Sequence, residues 1–250
     1  SQGPFAPIGS ISNAADEESY SYVDGAYGIM NEKGLSIGES TCGAVLTAKP
    51  VSEGGRALLD VRELSLIAME RCETAKCAIA EMGAAAEKYG YYGADSSYIE
   101  AGEALNVVDK TEAWVFHVLA DDSGSSAVWA AQRVEPDHVA VVANQFIIGE
   151  IPKISDIDSG FVYSENIRDV ATRAGLWRPH EDGVLFHFAK IFGTWRGAEM
   201  ARYSTLRQWR VLSLAAPSRD LQPPATEYES LPFSVRAESS FPATRVISTL

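Results

Sequence analysis

Short alternating runs of apolar and polar residues open the regular part of the chain and predict a β-hairpin. Tyr27 to Met30 and Leu35 to Ser40 have the alternation and composition of strands. Residues 31–34, NEKG, read as the tight turn between them, because glycine adopts a positive φ at little cost and asparagine tolerates unusual backbone geometry. An asparagine at the edge of such a turn can point its amide into a cleft. Gly38 in the second strand lets a ligand or another backbone approach closely.

The apolar period changes to that of a helix from Leu58 to Tyr89. Thr74 has the side chain of an N-cap residue, so the stretch is either one long helix or two helices in series. Gly90 and Gly93 end the pattern. The many alanines predict close packing against a sheet or a second helix.

Three apolar strands follow, and they predict an antiparallel meander. They are Ala113 to Leu119, Ala127 to Val134 and His138 to Ala143, with Phe146 to Gly149 as a further extension. The short connections between these strands require antiparallel pairing. Because the strands are apolar at nearly every position, we expect the sheet to be buried on both faces.

Helical periodicity returns in the second half of the chain. Ser164 is the predicted N-cap of one helix, and two more are expected within Phe186 to Phe192 and Arg202 to Leu214. Five of the eleven prolines then fall between Pro217 and Pro242. This composition predicts an extended segment that runs over the surface of the rest.

The order of these elements predicts an α+β fold, a four-layer α/β/β/α sandwich with antiparallel sheets. Residues 1–20 are expected to form an N-terminal arm, 21–160 the core of the sandwich, and 161–216 the helical part of the same domain. Residues 217–250 are the Pro-rich extended segment, which leads toward a missing continuation.

The charge of the chain excludes some classes of partner. It has 21 basic and 34 acidic residues, so its formal net charge is 21 − 34 = −13. Such an acidic protein is not expected to bind nucleic acid or anionic membranes. No apolar run approaches the roughly 18 to 20 residues of a membrane helix, and the first residues do not resemble a signal peptide.

Cys42, Cys72 and Cys77 are the only cysteines of the chain. They form no CxxC pair and have no nearby histidine cluster, so no zinc site is expected. The odd number argues against a disulfide framework. Cys72 and Cys77 fall where helix cores are expected, which favours small buried thiols.

The hairpin segment GIMNEKGLSIGESTC resembles that of the dipeptidase family of N-terminal-nucleophile hydrolases, which includes dipeptidase A-like enzymes and secernins. The MNEKGL core is also similar, more distantly, to the same turn in penicillin V acylases and bile salt hydrolases. Later segments resemble the family in the same order: ELSLIAMERCETAKCAIAEM, VWAAQRV, HVAVVANQFIIGEI, YSTLRQWRVLSLAAPS and LPFSVR. Together they cover most of residues 20–236.

The resemblance implies a self-processed cysteine amidase that acts on dipeptides or similar small amides. In the family the mature chain begins with a cysteine whose thiol attacks the amide carbonyl, and its own α-amino group is the base. Side-chain amides and backbone N–H groups then stabilise the oxyanion. This chemistry needs no metal or organic cofactor.

The resemblance also implies roles for individual residues. Asn31 matches the hairpin asparagine that helps to form the oxyanion site. Asn144 matches a second asparagine, at the end of a meander strand, which holds the nucleophile's amine or the substrate. These two amides are expected to meet in one pocket. Arg207 is the best match for an arginine that supports the site electrostatically, although Arg202 and Arg210 are close enough to leave the alignment open.

Two residues of the second hairpin strand, Gly38 and Glu39, are assigned to substrate binding. A buried structural carboxylate is an equally good interpretation of Glu39. A capping role for Asn144 and an ordinary ion pair for Arg207 also stay open. The four histidines match no motif of the family.

The chain departs from the family in one respect: the nucleophilic cysteine of the family precedes the hairpin, whereas no cysteine precedes Cys42 here. Ser1 is a poor nucleophile candidate because of the prolines that follow, and Cys42 lacks a free amine and an evident base. We therefore expect an internal piece of a longer precursor. Its partners are then the segment that carries the cysteine, a small peptide substrate and further copies in an oligomer.

Two alternative functions remain open. One is a structural or binding subunit that keeps the sandwich without the chemistry. The other is an N-acyl amidase related to penicillin V acylase and bile salt hydrolase. The sequence pI of about 4.8 slightly favours a lysosome-like or extracellular location over the cytoplasm.

Overall fold

A computed structural model describes residues 19–94, 100–178, 185–194, 197–224, 231–238 and 245–248. Its strands are β1 Tyr22–Asp24, β2 Gly28–Asn31, β3 Ser36–Cys42, β4 Gly102–Val108, β5 Ala113–Ala120, β6 Ala127–Val134, β7 His138–Val142, β8 Phe161–Tyr163, β9 Ser234–Arg236 and β10 Arg245–Ser248. Its α-helices are α1 Val61–Arg71, α2 Ala75–Tyr89, α3 Ile167–Arg173, α4 Phe188–Phe192 and α5 Gly197–Ala215.

The larger sheet has the strand order β1-β2-β3-β4-β5-β6-β8, and every neighbouring pair is antiparallel. The hairpin of β2 and β3 forms as predicted, and Gly34 in its turn has φ +89°. β4 then pairs with β3 along its whole length, from Ser36↔Val108 to Cys42↔Gly102. β4 was not predicted, and it links the hairpin to the meander of β5 and β6.

A smaller sheet has the order β10-β7-β9. β9 is antiparallel to β7, whereas β10 is parallel to it. Both outer strands come from the Pro-rich segment, which therefore contributes strands to a sheet. The third predicted strand of the meander, β7, does not join the larger sheet.

Three apolar cores show how the layers are stacked. One core joins α1 and α2 to the outer face of the larger sheet, through residues such as Leu105 and Phe116. A second lies between the two sheets and takes Ala140 and Val142 from β7. The third takes the alternate residues of β7 and packs them against α5. The layers are therefore helix, sheet, sheet and helix, and the predicted α+β sandwich is confirmed.

The long helical stretch is two helices, and each has a side-chain cap. Asp60 accepts the N–H of Glu63 at the start of α1, and Thr74 accepts the N–H of Cys77 at the start of α2. A disulfide joins Cys72 to Cys77 across the corner, with 5.5 Å between the Cα atoms. The prediction of two buried thiols was wrong, because the tight turn between the helices brings both side chains together.

Two local predictions in the second half were also wrong. Residues 146–149 form no strand, because the carbonyls of Ile148 and Gly149 accept the N–H groups of Ala189 and Phe188 at the start of α4. The N-cap of α3 is Asn166, whereas the Ser164 hydroxyl accepts the N–H of Trp129. Residues 1–18, most of the predicted arm, lie outside the described residues.

Candidate active site

Residues of β3 alternate between two different environments. Ile37 belongs to the core under α1 and α2, and Cys42 belongs to the core between the sheets. Because successive side chains point to opposite faces, Gly38 and Ser40 face the smaller sheet with Cys42. Glu39 shares the helix-covered face with Ile37. The two predicted substrate-binding residues, Gly38 and Glu39, thus lie on opposite faces of the sheet.

Asn144 connects the two sheets at this point. It follows β7 by two residues and has a left-handed backbone, with φ 56°. Its backbone N–H donates to the Ser40 hydroxyl at 2.9 Å, and its Nδ2 donates to the Thr41 carbonyl at 2.9 Å. The amide is therefore held against the C-terminal part of β3.

Arg207 of α5 fixes the orientation of that amide. Its Nη2 donates to Asn144 Oδ1 at 2.7 Å and to the Ala143 carbonyl at 3.1 Å. Its Nε donates to the Tyr203 carbonyl, and the guanidinium lies 3.9 Å from the centre of the Tyr203 ring. Because a positively charged donor occupies Oδ1, the NH2 group of Asn144 must point away from Arg207. The structure brings Asn144 and Arg207 together and distinguishes Arg207 from its two arginine neighbours.

The NH2 group of Asn144 has two hydrogens, and the described residues accept only one of them, at Thr41. The second N–H is a donor in an amide of fixed orientation. A fixed N–H donor beside a glycine-containing strand is the kind of group that stabilises an oxyanion.

Asn31 occupies a different part of the molecule. Its Nδ2 donates to the carbonyls of Met69 and Cys72 at 3.0 and 2.7 Å, and its Oδ1 accepts the N–H groups of Lys33 and Leu35, both at 3.1 Å. Both polar atoms of this side chain are thereby engaged with the backbone, and the residue is 4% exposed.

The expected meeting of Asn31 and Asn144 does not occur. Asn31 pairs with Leu35, whereas Asn144 binds Thr41, six residues further along the chain, or about 20 Å in an extended strand. The asparagine side chain closes the hairpin turn and holds the end of α1, so it is not available to a cleft. Asn31 therefore lies outside the candidate site that contains Asn144 and Arg207.

Behind the site, two carboxyl groups lie on the helix-covered face. Glu39 Oε1 accepts the hydroxyl of Thr41 at 2.7 Å, and Glu103 is the cross-strand neighbour of Thr41. Glu103 is 1% exposed, and its Oε2 has no hydrogen-bond partner within the described part of the chain. Burial, and then the adjacent Glu39, raise the pKa of Glu103 well above its usual value. Glu39, which is half-buried, therefore lies beside the buried carboxyl group of Glu103 rather than on the face that carries Asn144.

None of the three cysteines has the surroundings of a nucleophile. Cys72 and Cys77 are joined in the disulfide. Cys42 is fully buried, its thiol donates to the Ser40 carbonyl, and burial raises its pKa well above the ordinary value. A nucleophilic cysteine needs the opposite, a lowered pKa and access to substrate.

His117 is buried in the core between the sheets. Its Nε2 accepts the N–H groups of Ile147 and Ile148 at 2.9 and 3.3 Å, and burial lowers its pKa to about 3. This histidine stays neutral and holds the segment after Asn144 in place. Among the described residues, no group of three or more His, Cys, Asp and Glu side chains is arranged to hold a metal ion.

The profile of peptidase family C69 matches residues 10–246. The chain belongs to peptidase family C69. This is the dipeptidase A and secernin family of cysteine peptidases, so the resemblance seen in the sequence is confirmed. A comparison with curated protein sequences found no match.

Membership of family C69 supports a cysteine-type peptidase function. The geometry adds residues that the sequence did not single out. Ser40 and Thr41 hold Asn144, and their only sequence signal is that they follow the Gly38-Glu39 pair in a polar strand. No helix in the described part of this C69 chain is long and apolar enough to span a membrane.

Proposed function

We propose that this chain is the larger or internal part of a cysteine N-terminal-nucleophile dipeptidase. It hydrolyses small peptide amide bonds through an acyl-enzyme. Membership of family C69 supports the reaction class. The observation that carries the proposal is the spare N–H of Asn144, in an amide fixed by Arg207 and β3.

The nucleophile belongs to another segment of the same precursor. Within this chain the thiol of Cys42 is buried and the other two cysteines form a disulfide. An N-terminal cysteine supplied from elsewhere would bring its own base, the α-amino group.

The reaction then proceeds in two steps. The cysteine thiol attacks the scissile carbonyl carbon while its proton passes to the α-amino group, and the carbonyl oxygen becomes an anion. Asn144 Nδ2–H donates to that anion. Collapse breaks the C–N bond, the leaving amine takes the proton, and a thioester remains. Water attacks the thioester by the same route, which releases the acid and restores the thiol.

Arg207 is a positioning residue in this scheme. It does not touch the substrate, but it holds Asn144 Oδ1 and thereby directs the NH2 group. Its contact with the Ala143 carbonyl also stabilises the left-handed turn of the backbone.

The test is an Asn144→Gly variant of the protein in its full natural form. Glycine accepts the positive φ at residue 144, so this change removes the amide without straining the backbone. The matched control is Asp137→Gly, which places glycine at another left-handed position, φ 61°, at the opposite end of β7.

We expect the parent to hydrolyse unblocked dipeptides. Loss of one oxyanion donor should lower kcat by about 10² to 10³, whereas the Asp137→Gly variant keeps its activity. Faster hydrolysis of N-acyl amino acids than of dipeptides by the parent would support the acylase-like alternative. No hydrolysis of either, together with the absence of a cysteine-initiated segment by N-terminal sequencing, would support the structural-subunit alternative.

A further inference from the structure

One face of α5 carries three polar side chains where the helix meets the turn that follows β7, residues 143–145. They are Ser204, Arg207 and Gln208, whose spacing of three and four residues places them on the same side of the helix. Ser204 is 4% exposed and Gln208 is 3% exposed. Further along α5, the contact with β7 is an apolar core that includes Leu212. The buried polar groups are therefore a local feature of the helix beside the turn.

These side chains bind three consecutive residues of the turn. Arg207 binds the main chain of the first residue as well as the side chain of Asn144. The Ser204 hydroxyl donates to the main-chain carbonyl of Asn144 at 3.3 Å. Gln145 Nε2 donates to Gln208 Oε1 at 2.8 Å. The main chain is thus held by α5 on both sides of the Asn144 side chain.

The turn needs such contacts because of its backbone conformation. Asn144 has φ 56°, in the left-handed region that is uncommon for residues other than glycine. A residue keeps such a conformation only where the surrounding structure determines it. The direction of the Asn144 side chain depends on this main-chain conformation, so contacts that fix the turn also fix the direction of the amide.

We infer that Ser204 and Gln208 are positioning residues for the proposed oxyanion donor. Arg207 sets the rotation of the Asn144 amide, whereas Ser204 and Gln208 set the main chain that carries it. Ser204 acts through the carbonyl of Asn144, and Gln208 acts through the next residue, Gln145. The inference rests on the proposed function and adds two residues to it.

A positioning role and a purely structural role predict different relations between stability and activity. Replacing both partners of a buried hydrogen bond by apolar groups of the same shape can be nearly neutral for stability, whereas replacing one partner leaves the other buried and unpaired. If the Gln145–Gln208 pair only supports packing, activity should follow stability. If the pair positions Asn144, activity should stay low even where stability is restored.

The experiment compares stability with activity in variants of this pair. Gln208→Met, Gln145→Met and the double variant are made in the protein in its full natural form, because methionine keeps the length of glutamine without its polar group. Ser204→Ala removes the other contact. Urea unfolding gives the stability, and initial rates on an unblocked dipeptide give kcat and KM.

Each single glutamine variant should unfold at a lower urea concentration than the parent, and the double variant should recover most of that loss. Activity should not recover. We expect kcat to be about tenfold lower in both single variants and in the double variant, with KM changed by less than about twofold. The double variant loses no more activity than a single one, because both changes remove the same hydrogen bond. Ser204→Ala should lower kcat to a similar extent.

NMR spectroscopy reports on the Asn144 amide without requiring hydrolysis. Its two side-chain N–H signals are assigned by their loss in Asn144→Gly. They should shift in Gln208→Met, in the double variant and in Ser204→Ala, because the amide changes its direction in all three.

Two matched variants control for the loss of a hydroxyl and of an amide. Ser213→Ala removes a hydroxyl of α5 that donates to the Arg210 carbonyl of the same helix, and Gln222→Met removes an exposed amide that donates to the Asp220 carbonyl. Both variants should leave kcat and the Asn144 signals unchanged.

Recovery of kcat together with stability in the double variant would overturn the inference, because the pair would then serve packing alone. So would an unchanged kcat, or unchanged Asn144 signals, in Gln208→Met or Ser204→Ala. If the unmodified protein hydrolyses no dipeptide, the proposed function fails, and the Asn144 signals alone decide whether Ser204 and Gln208 position the amide.

Discussion

The side chain of Asn31 has either a structural or a catalytic role in the hairpin, and an Asn31→Ala variant distinguishes these two roles. Alanine removes four hydrogen bonds, two donated to the carbonyls of Met69 and Cys72 and two accepted from the N–H groups of Lys33 and Leu35. A net value of about 0.5–1.5 kcal/mol for each gives roughly 2–6 kcal/mol.

The lower half of that range applies, because water can reach the turn once the side chain is shortened. We therefore expect a loss of about 3 kcal/mol in the free energy of unfolding. In a chain of this size, 1 kcal/mol corresponds to about 2–4 °C in Tm, so Tm should fall by about 6–12 °C.

The assay has two parts. Urea unfolding gives the loss of stability, and initial rates on an unblocked dipeptide give kcat/KM, normalised to the folded fraction. Met30→Ala, which changes an exposed side chain of the same strand, is the control for the hairpin. The structure predicts a large loss in the free energy of unfolding. It predicts a change of less than about twofold in kcat/KM, which corresponds to an activation free energy difference smaller than about RT.

The opposite result would refute this interpretation. If Asn31→Ala changed stability by less than about 0.5 kcal/mol and lowered kcat/KM by about 100-fold, Asn31 would be a catalytic residue. The hairpin would then have to rearrange when the nucleophile segment is present.

Three further predictions concern the residues around the site. Arg207→Met should lower kcat by about 100-fold with little change in KM, because Asn144 loses its orientation; an unchanged kcat would remove Arg207 from the mechanism. The raised pKa of Glu103 means that the stability it contributes is fully present below its unfolded pKa of about 4.3 and is lost as pH rises toward the folded value. Urea unfolding from about pH 4 to 8 should therefore show a decline that Glu103→Gln reduces, and equal slopes would contradict this. Reduction of the Cys72–Cys77 disulfide, which closes a short loop, should lower the free energy of unfolding by about 2 kcal/mol in the chain-entropy description, and a Cys72→Ala, Cys77→Ala protein should then not respond to reductant.

The sequence predicted the layers well, because their apolar periods are long and regular. α2 and the meander strands are examples. β4 was missed because it is buried on both faces yet contains Glu103 and Asn106, so it shows neither alternation nor a purely apolar run. Glu103 and Asn106 are exceptions to the apolar pattern of a buried strand, and only their neighbours in the folded structure can explain why they are there.

The site could be predicted only in part. Asn144 and Arg207 were each named from the resemblance, but the sequence did not indicate that they contact each other and did not separate Arg207 from the other arginines of α5. The hairpin asparagine, Asn31, was expected to point its amide into the pocket with Asn144, whereas its amide binds the carbonyls of Met69 and Cys72. The sequence does not determine this direction, because a turn can aim its side chain toward either face of the hairpin. The disulfide was missed because a close approach of two cysteines depends on the angle between α1 and α2.

The attachment of Asn144 makes the site sensitive to the relative position of the layers of the fold. Its backbone is tied to the larger sheet through Ser40, and its side chain is tied through Arg207 to the helix on the far side of the smaller sheet. If the larger sheet shifts relative to α5, the side-chain amide of Asn144 is displaced as well. Hydrolysis rate should therefore report on the alignment of the whole stack, and it should fall on heating or under pressure before the secondary structure melts.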